Sequence, residues 1–210
     1  LLTQCKHSFQ QRFWYAAGHY LYDVVDGPEG DDAAIRPNQL LALSLSHSLL
    51  DMEYGQQVLE TVTEHLLTPY GLRTLASREI HYRGRGSAGN ALKEQQLALH
   101  QGCVWPWLIG PYLDTLLRMW PQSQEREDPH LFREYVWRKG LQLLEPFRQR
   151  FQAMLLGTCE GILEGNEPYE PLPHNQFLAS ATSISELLRS YNMLAQLCVP
   201  EAEAGIINVR

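Results

Sequence analysis

The sequence predicts an all-α domain, and three observations lead there. Apolar residues recur at helical spacing in six separate stretches, no stretch reads as a convincing strand, and proline or small polar residues stand where helices should start and stop. With 210 residues, 44% of them hydrophobic, the chain is long enough for one substantial core. No low-complexity tract or heptad run divides it, so residues 1–210 read as one domain or a large piece of one.

The first helix covers roughly Leu1 to Trp14. The second follows Asp-Asp-Ala-Ala-Ile, with Pro37 in its first turn, where a missing N–H costs nothing, and runs through NQLLALSLSHSLL. The third is GQQVLETVTEHLL, with Val58, Leu59, Val62 and Leu66 on one face and Thr68-Pro69 as its stop. The fourth carries Leu108, Tyr112, Leu113, Leu116 and Leu117. The fifth runs from about Pro129 to Met154, with Phe132, Tyr135, Val136, Leu143, Leu144, Phe147 and Phe151 on one side, and Pro146 is expected to kink or split it. The sixth starts at Ser183-Ile184-Ser185-Glu186, which has the form of a capping box, and continues through Leu187, Leu188, Tyr191 and Leu194.

Charge and composition exclude several function classes. The net charge is -7 with no basic run, which argues against a nucleic-acid groove or an anionic membrane surface, both held mainly by Lys and Arg. No long uncharged apolar segment offers a transmembrane helix. Cys5, Cys103, Cys159 and Cys198 lie far apart, without metal-ligand spacing; scattered single cysteines suit a reducing cytoplasm, and as side chains they are expected to be small buried hydrophobes. No motif calls for a metal or an organic cofactor. The chain opens inside an amphipathic pattern, without a starting Met or a signal-like segment, and is read as a piece of a longer protein.

Three connections are long, roughly Tyr15 to Ile35, Thr68 to Gln101 and Leu156 to Thr182, and they hold the unusual residues. Long ordered loops on a helical scaffold usually carry function. Within them, HYRGRG (His81–Gly86) reads as a flexible turn, and Tyr22, Asp23 and Asp26 either line a rim or simply fold their loop. The segment HQGCVWPWLIGP (His100–Pro111) is unlike a buried helix. It reads as a pocket wall: Pro106 fixes the entry to the fourth helix, Trp105 and Trp107 make a rigid apolar face, and His100 with Gln101 offers directional hydrogen bonds. One of the two tryptophans is expected in the core and the other flat against a ligand ring. Asp32 and Arg36 flank a helix start; alone they would read as an acidic cap and a surface ion pair.

Three blocks together carry a family resemblance: LYDVVDGPEGDDAAIRPNQ (Leu21–Gln39), LLTPYGLRTL (Leu66–Leu75) and HQGCVWPWLIGPY (His100–Tyr112). In order and spacing they resemble the C-terminal amylo-α-1,6-glucosidase domain of bacterial and archaeal glycogen debranching enzymes, strongly to about Arg118 and weakly after it. The resemblance implies an α/α toroid of six helical hairpins, with about the last half present here. It implies an α-glucan substrate, glycogen or limit dextrin, and inverting hydrolysis of α-1,6 branch points. It also changes the balance for Asp32, Arg36, His100, Gln101, Trp105 and Trp107, which become substrate-binding candidates: an Arg fork and a carboxylate can grip vicinal hydroxyls, and indole faces suit a pyranose ring.

Inverting chemistry needs two carboxyl groups about 6.5–9.5 Å apart. The family's general acid lies in a Thr-Trp-Met-Asp segment absent from this chain. Its general base is the Glu of a segment reading roughly Gly-Thr-x-Ser-Glu-Ile-x-Asp-Gly, matched here by Gly157-Thr158-Cys159-Glu160-Gly161-Ile162-Leu163-Glu164-Gly165. Aligned without gaps, Gly161 takes the base position, Glu160 stands one place early and Glu164 stands where the family has Asp. Glu160 is therefore the candidate general base, and the alternative is a copy that is catalytically impaired or only binds glucan. Gln95-Gln96 and Ser180-Ala181-Thr182-Ser183 also depart from the family's Arg-Asp and Gln-Ala-Trp-Ser. The isolated chain, lacking the acid, is expected to be inactive, and a half-toroid's cut faces, one from the Leu1–Trp14 helix and one from Leu187, Tyr191 and Leu194, are expected to pair as a homodimer.

Overall fold

In the computed structural model, which describes residues 1–86, 92–119, 129–153, 161–172 and 176–198, helices supply the frame and short strands tie the loops between them. The helices are α1 (Leu2–Phe13), α2 (Leu41–Ser44), α3 (Met52–His65), α4 (Leu92–His100), α5 (Ile109–Met119), α6 (Pro129–Ala153) and α7 (Gln176–Cys198). The described chain is mostly helical, as the apolar spacing predicts. Helix α5 is the centre, with Tyr112, Leu113, Leu116 and Met119 buried, and it touches α2, α3, α6 and α7. Val58 and Val62 of α3, Leu43 of α2, Val136, Leu144 and Phe147 of α6, and Leu187 and Leu194 of α7 complete one core. Beside α3 the buried Tyr112 hydroxyl is satisfied, meeting Thr63 Oγ1 at 2.9 Å. No helix among the described residues is long and apolar enough to cross a membrane.

Strands are present where none was expected. Trp14–Tyr15 (β1) pairs with Tyr20–Leu21 (β2), Val24–Gly27 (β3) with Gly30–Asp32 (β4), and Leu67–Thr68 (β5) with Gly71–Arg73 (β6), which also takes Val104–Trp105 (β7). All run antiparallel. Val104 bridges further to Leu163, and Leu163 to Pro171, so the late segment 161–172 is laid against β7. Each strand is two to four residues long, too short to show an alternating pattern.

Several helix boundaries differ from expectation, each for a local reason. The second helix shrinks to a 3₁₀ turn at Pro37–Leu40 and the one-turn α2. Beyond it Ser48 bonds its neighbours, Oγ donating to the Leu50 carbonyl at 2.9 Å, and Arg118 Nη1 donates to the Leu43 and Leu45 carbonyls that a longer helix would have used. Helix α3 begins earlier, at Met52. Helix α4 occupies part of a supposed loop; its stripe is faint because Ala98 alone is buried among its residues with described side chains. Pro146 lies inside an unbroken α6, and the carbonyl that loses its partner belongs to the exposed Gln142, on the side of the helix open to solvent. Ser183 is no cap: α7 starts at Gln176, and Ser183 is fully buried within it. Glu186 instead pairs with Arg189, which also forks onto Asp114 of α5 at 2.8 and 3.0 Å. HYRGRG is held, not loose: Tyr82 OH donates to Asn166 Oδ1 at 2.8 Å, and Gly165 N–H donates to the Gly84 carbonyl. Cys103 is buried beside Ala98, Ile162 and Leu172, but Cys5 is exposed.

Candidate functional site

Residues of the first two long connections line one cleft, and residues 161–172 of the third lie against β7 beside it. Arg36 precedes Pro37 and is extended there (φ -128°, ψ 157°), as the proline ring requires. From that position its guanidinium reaches three other segments. Nη1 donates to the Thr74 carbonyl at 3.1 Å and to the His100 carbonyl at 2.6 Å, Nη2 donates to Gln101 Oε1 at 2.9 Å, and Nε faces Asp23 Oδ2 at 3.1 Å. Asp23 Oδ1 also accepts from Asn38 Nδ2 at 2.9 Å. Burial raises the Asp23 carboxyl above its ordinary value, opposed by the Asn38 hydrogen bond and the Arg36 charge.

The aromatic wall is set by backbone geometry around His100–Pro106. Gly102 has φ +148°, and a Cβ there would lie 2.7 Å from the Arg83 carbonyl oxygen, so only glycine fits. The chain then enters β7 and the 3₁₀ turn Pro106–Leu108, with Pro106 at its start. Trp105 Nε1 donates to the Leu99 carbonyl at 2.9 Å, which fixes its ring. The His100 ring lies 5.8 Å from it, and Trp107 stands edge-on at 6.4 Å. Both tryptophans are half-buried and both line the cleft, so the expected division into one core ring and one exposed ring does not occur.

The cleft has a volume of about 540 Å³, within the range of ordinary small-ligand sites. Asp32, Arg36, His100, Trp105 and Trp107 all stand on its walls. Asp32, exposed at the end of β4, accepts the Ala34 N–H at 2.9 Å. Gln101 sits behind, against Arg36, and does not line the cleft. Glu160 lies outside the described residues; Gly161, next to it, is buried, and Glu164 is buried at 5% exposure. Thr74 and Asn38 also line the cleft and were not singled out in the sequence. Both lie inside the blocks that carry the family resemblance, which was the available signal. Cys103 lies behind the wall, and burial, with the nearby Glu164 charge, pushes its thiol up to about 12. Among the described residues no group of three or more His, Cys, Asp or Glu is placed to hold a metal ion.

Flat indole faces beside a carboxylate, an amide and a guanidinium suit a ligand with apolar faces and a polar edge. Residues 1–189 match the family model described as amylo-alpha-1,6-glucosidase, and the chain belongs to that family. It is also similar to the glycogen debranching enzyme of Saccharomyces cerevisiae, 25% identical over 124 residues that make up 53% of this chain. The matched stretch spans only 8% of that yeast protein's length.

Proposed function

We propose that this chain is the sugar-holding, C-terminal part of an amylo-α-1,6-glucosidase domain in a cytoplasmic glycogen debranching enzyme. In this reading residues 1–210 form one unit, about the last half of an α/α toroid. The full-length protein hydrolyses α-1,6 branch points of glycogen or limit dextrin with inversion, without metal or organic cofactor. Trp105 and Trp107 take the faces of the terminal glucose, His100 and Asp32 its edge, and Arg36 with Gln101 holds the wall. Glu160 activates water, and the general acid comes from chain outside this segment. The observation that carries the reading is the gathering of loop residues from three distant blocks around one cleft, in a chain of this family.

Calorimetric titration of the purified chain with isomaltose tests it. Binding is expected, without hydrolysis, and Trp107→Ala is expected to weaken it about tenfold through loss of the aromatic face. A wild-type chain that ignores isomaltose removes the substrate-site reading. A second reading, a glucan-binding remnant that hydrolyses nothing, is favoured by one observation: the residue matching the family's base is Gly161, which cannot take a proton.

The half-toroid reading also predicts self-association. Leu1 and Leu2 of the first expected face are exposed at 97 and 60%, whereas Leu187 and Leu194 of the second are buried and Tyr191 is half-buried. A two-fold dimer would cover the exposed face. Light scattering at micromolar concentration should return about twice the chain mass, and a stable monomer would contradict the half-toroid.

A further inference from the structure

Two carboxylates stand at the cleft beside Arg36, and they are built differently. Asp32 is exposed and turned back on its own backbone through the Ala34 N–H. The Asp23 side chain is only 12% exposed, and its main chain is pinned, its N–H donating to the Asp32 carbonyl at 2.8 Å. Its Oδ1 is held by Asn38 at 2.9 Å and its Oδ2 by Arg36 at 3.1 Å, two side chains that flank Pro37 and so arrive together. Each carboxylate oxygen can accept two hydrogen bonds; Oδ1 takes one from Asn38 and Oδ2 is ion-paired with Arg36, leaving acceptor capacity on the cleft wall. Held from both sides, the carboxylate has no rotational freedom to lose when a ligand arrives. A fixed, mostly buried acceptor rejects a ligand lacking the matching hydroxyl, because the unpaired charge is then left desolvated. Arg36, by contrast, directs its donors at Thr74, His100, Gln101 and Asp23, all protein groups.

We propose that Asp23 is a specificity-determining residue of the cleft, its carboxylate accepting hydrogen bonds from hydroxyls of a bound glucose unit, and that Arg36 is the positioning residue that aims it. The proposal rests on the sugar-holding reading above and sharpens it. It gives Asp23, in preference to Asp32, the work of telling one hydroxyl pattern from another.

The experiment is calorimetric titration of the full chain with isomaltose and with its analogues deoxygenated at single positions of the non-reducing ring. Asp23→Asn is expected to weaken isomaltose binding about 10–100-fold, the worth of hydrogen bonds to a charged group. The wild type should reject at least one deoxy analogue by a similar factor, and Asp23→Asn should bind that analogue and isomaltose alike. A purely structural role for Asp23 would lower affinity for all the sugars together and leave the discrimination intact. Arg36→Lys, which keeps the charge without the fork, should blunt the discrimination while Trp107→Ala still weakens binding in that background. Asp23→Glu, which keeps the charge and moves the acceptor by one methylene, decides the matter if Asp23→Asn does not fold: it should change which analogue is rejected. Unchanged discrimination in the folded Asp23 variant, with normal wild-type binding, overturns this proposal and leaves the cleft reading standing. Absence of wild-type binding overturns both.

Discussion

Replacing Glu160 by Gln in the full-length protein is expected to lower the rate of α-1,6 hydrolysis about 10²–10⁴-fold, the usual cost of losing an essential general base. The substitution keeps the size of the side chain and removes its basicity, so the loss should fall on kcat and leave KM within a small factor. The family resemblance points to Glu160, which stands one place before the position matched to the general base. Gly161, at the matched position, carries no proton acceptor, and Glu164 is buried and does not line the cleft. Turnover within a factor of two of the wild type would remove Glu160 from the mechanism and favour the binding remnant.

Gly71→Ala is expected to destabilise the fold by about 2–4 kcal/mol, the sum of a strained backbone and an overpacked contact. Gly71 has φ +126°, where an L side chain is strained, and an ideal Cβ would lie 2.6 Å from the Trp105 carbonyl oxygen and 2.7 Å from Pro106 Cα. Those are backbone atoms of the aromatic wall, so no side-chain rotation relieves the clash. The turn is otherwise well made, Thr68 Oγ1 donating to the Gly71 carbonyl at 2.9 Å. For a chain of this size the midpoint of thermal unfolding should fall on the order of 10 °C, measured by circular dichroism. Isomaltose binding should weaken with it, because β6 is paired directly with Trp105. A variant melting within two degrees of the wild type would mean that the β6–β7 contact yields rather than resists.

Much of the frame could be read from the residues. Val58 and Val62 place α3, and Tyr112, Leu113 and Leu116 place α5, because a buried face repeats every three or four residues over several turns. Pro106 and the tryptophans gave the wall for the same reason: their stiffness is local. What escaped has no local signature. The two-residue strands offer no period, and the Ser-Ile-Ser-Glu pattern of a cap also occurs inside a helix, as at Ser183, which is fully buried within α7. Three of the partners of Arg36 stand 38, 64 and 65 positions away, and nothing near Arg36 reveals that its guanidinium is committed to them. Asp23 reads equally as a rim residue or a loop-folding one, and only the closure of Asn38 and Arg36 on it distinguishes the two.

The Arg36 junction also bears on the order in which the molecule assembles. Its bonds to Thr74, His100 and Gln101 reward the chain only after loops of 38 to 65 residues have closed, and closing them carries an entropy cost before any bond is made. Helices such as α3 and α5 need no such wait. Contacts of that kind belong late on the folding route, so their loss acts mainly on the unfolding limb of the kinetics. The walls of the cleft are thus expected to form after the scaffold and to open before it, and a bound sugar bridging them would act first on how long the native state lasts, not on how fast it forms.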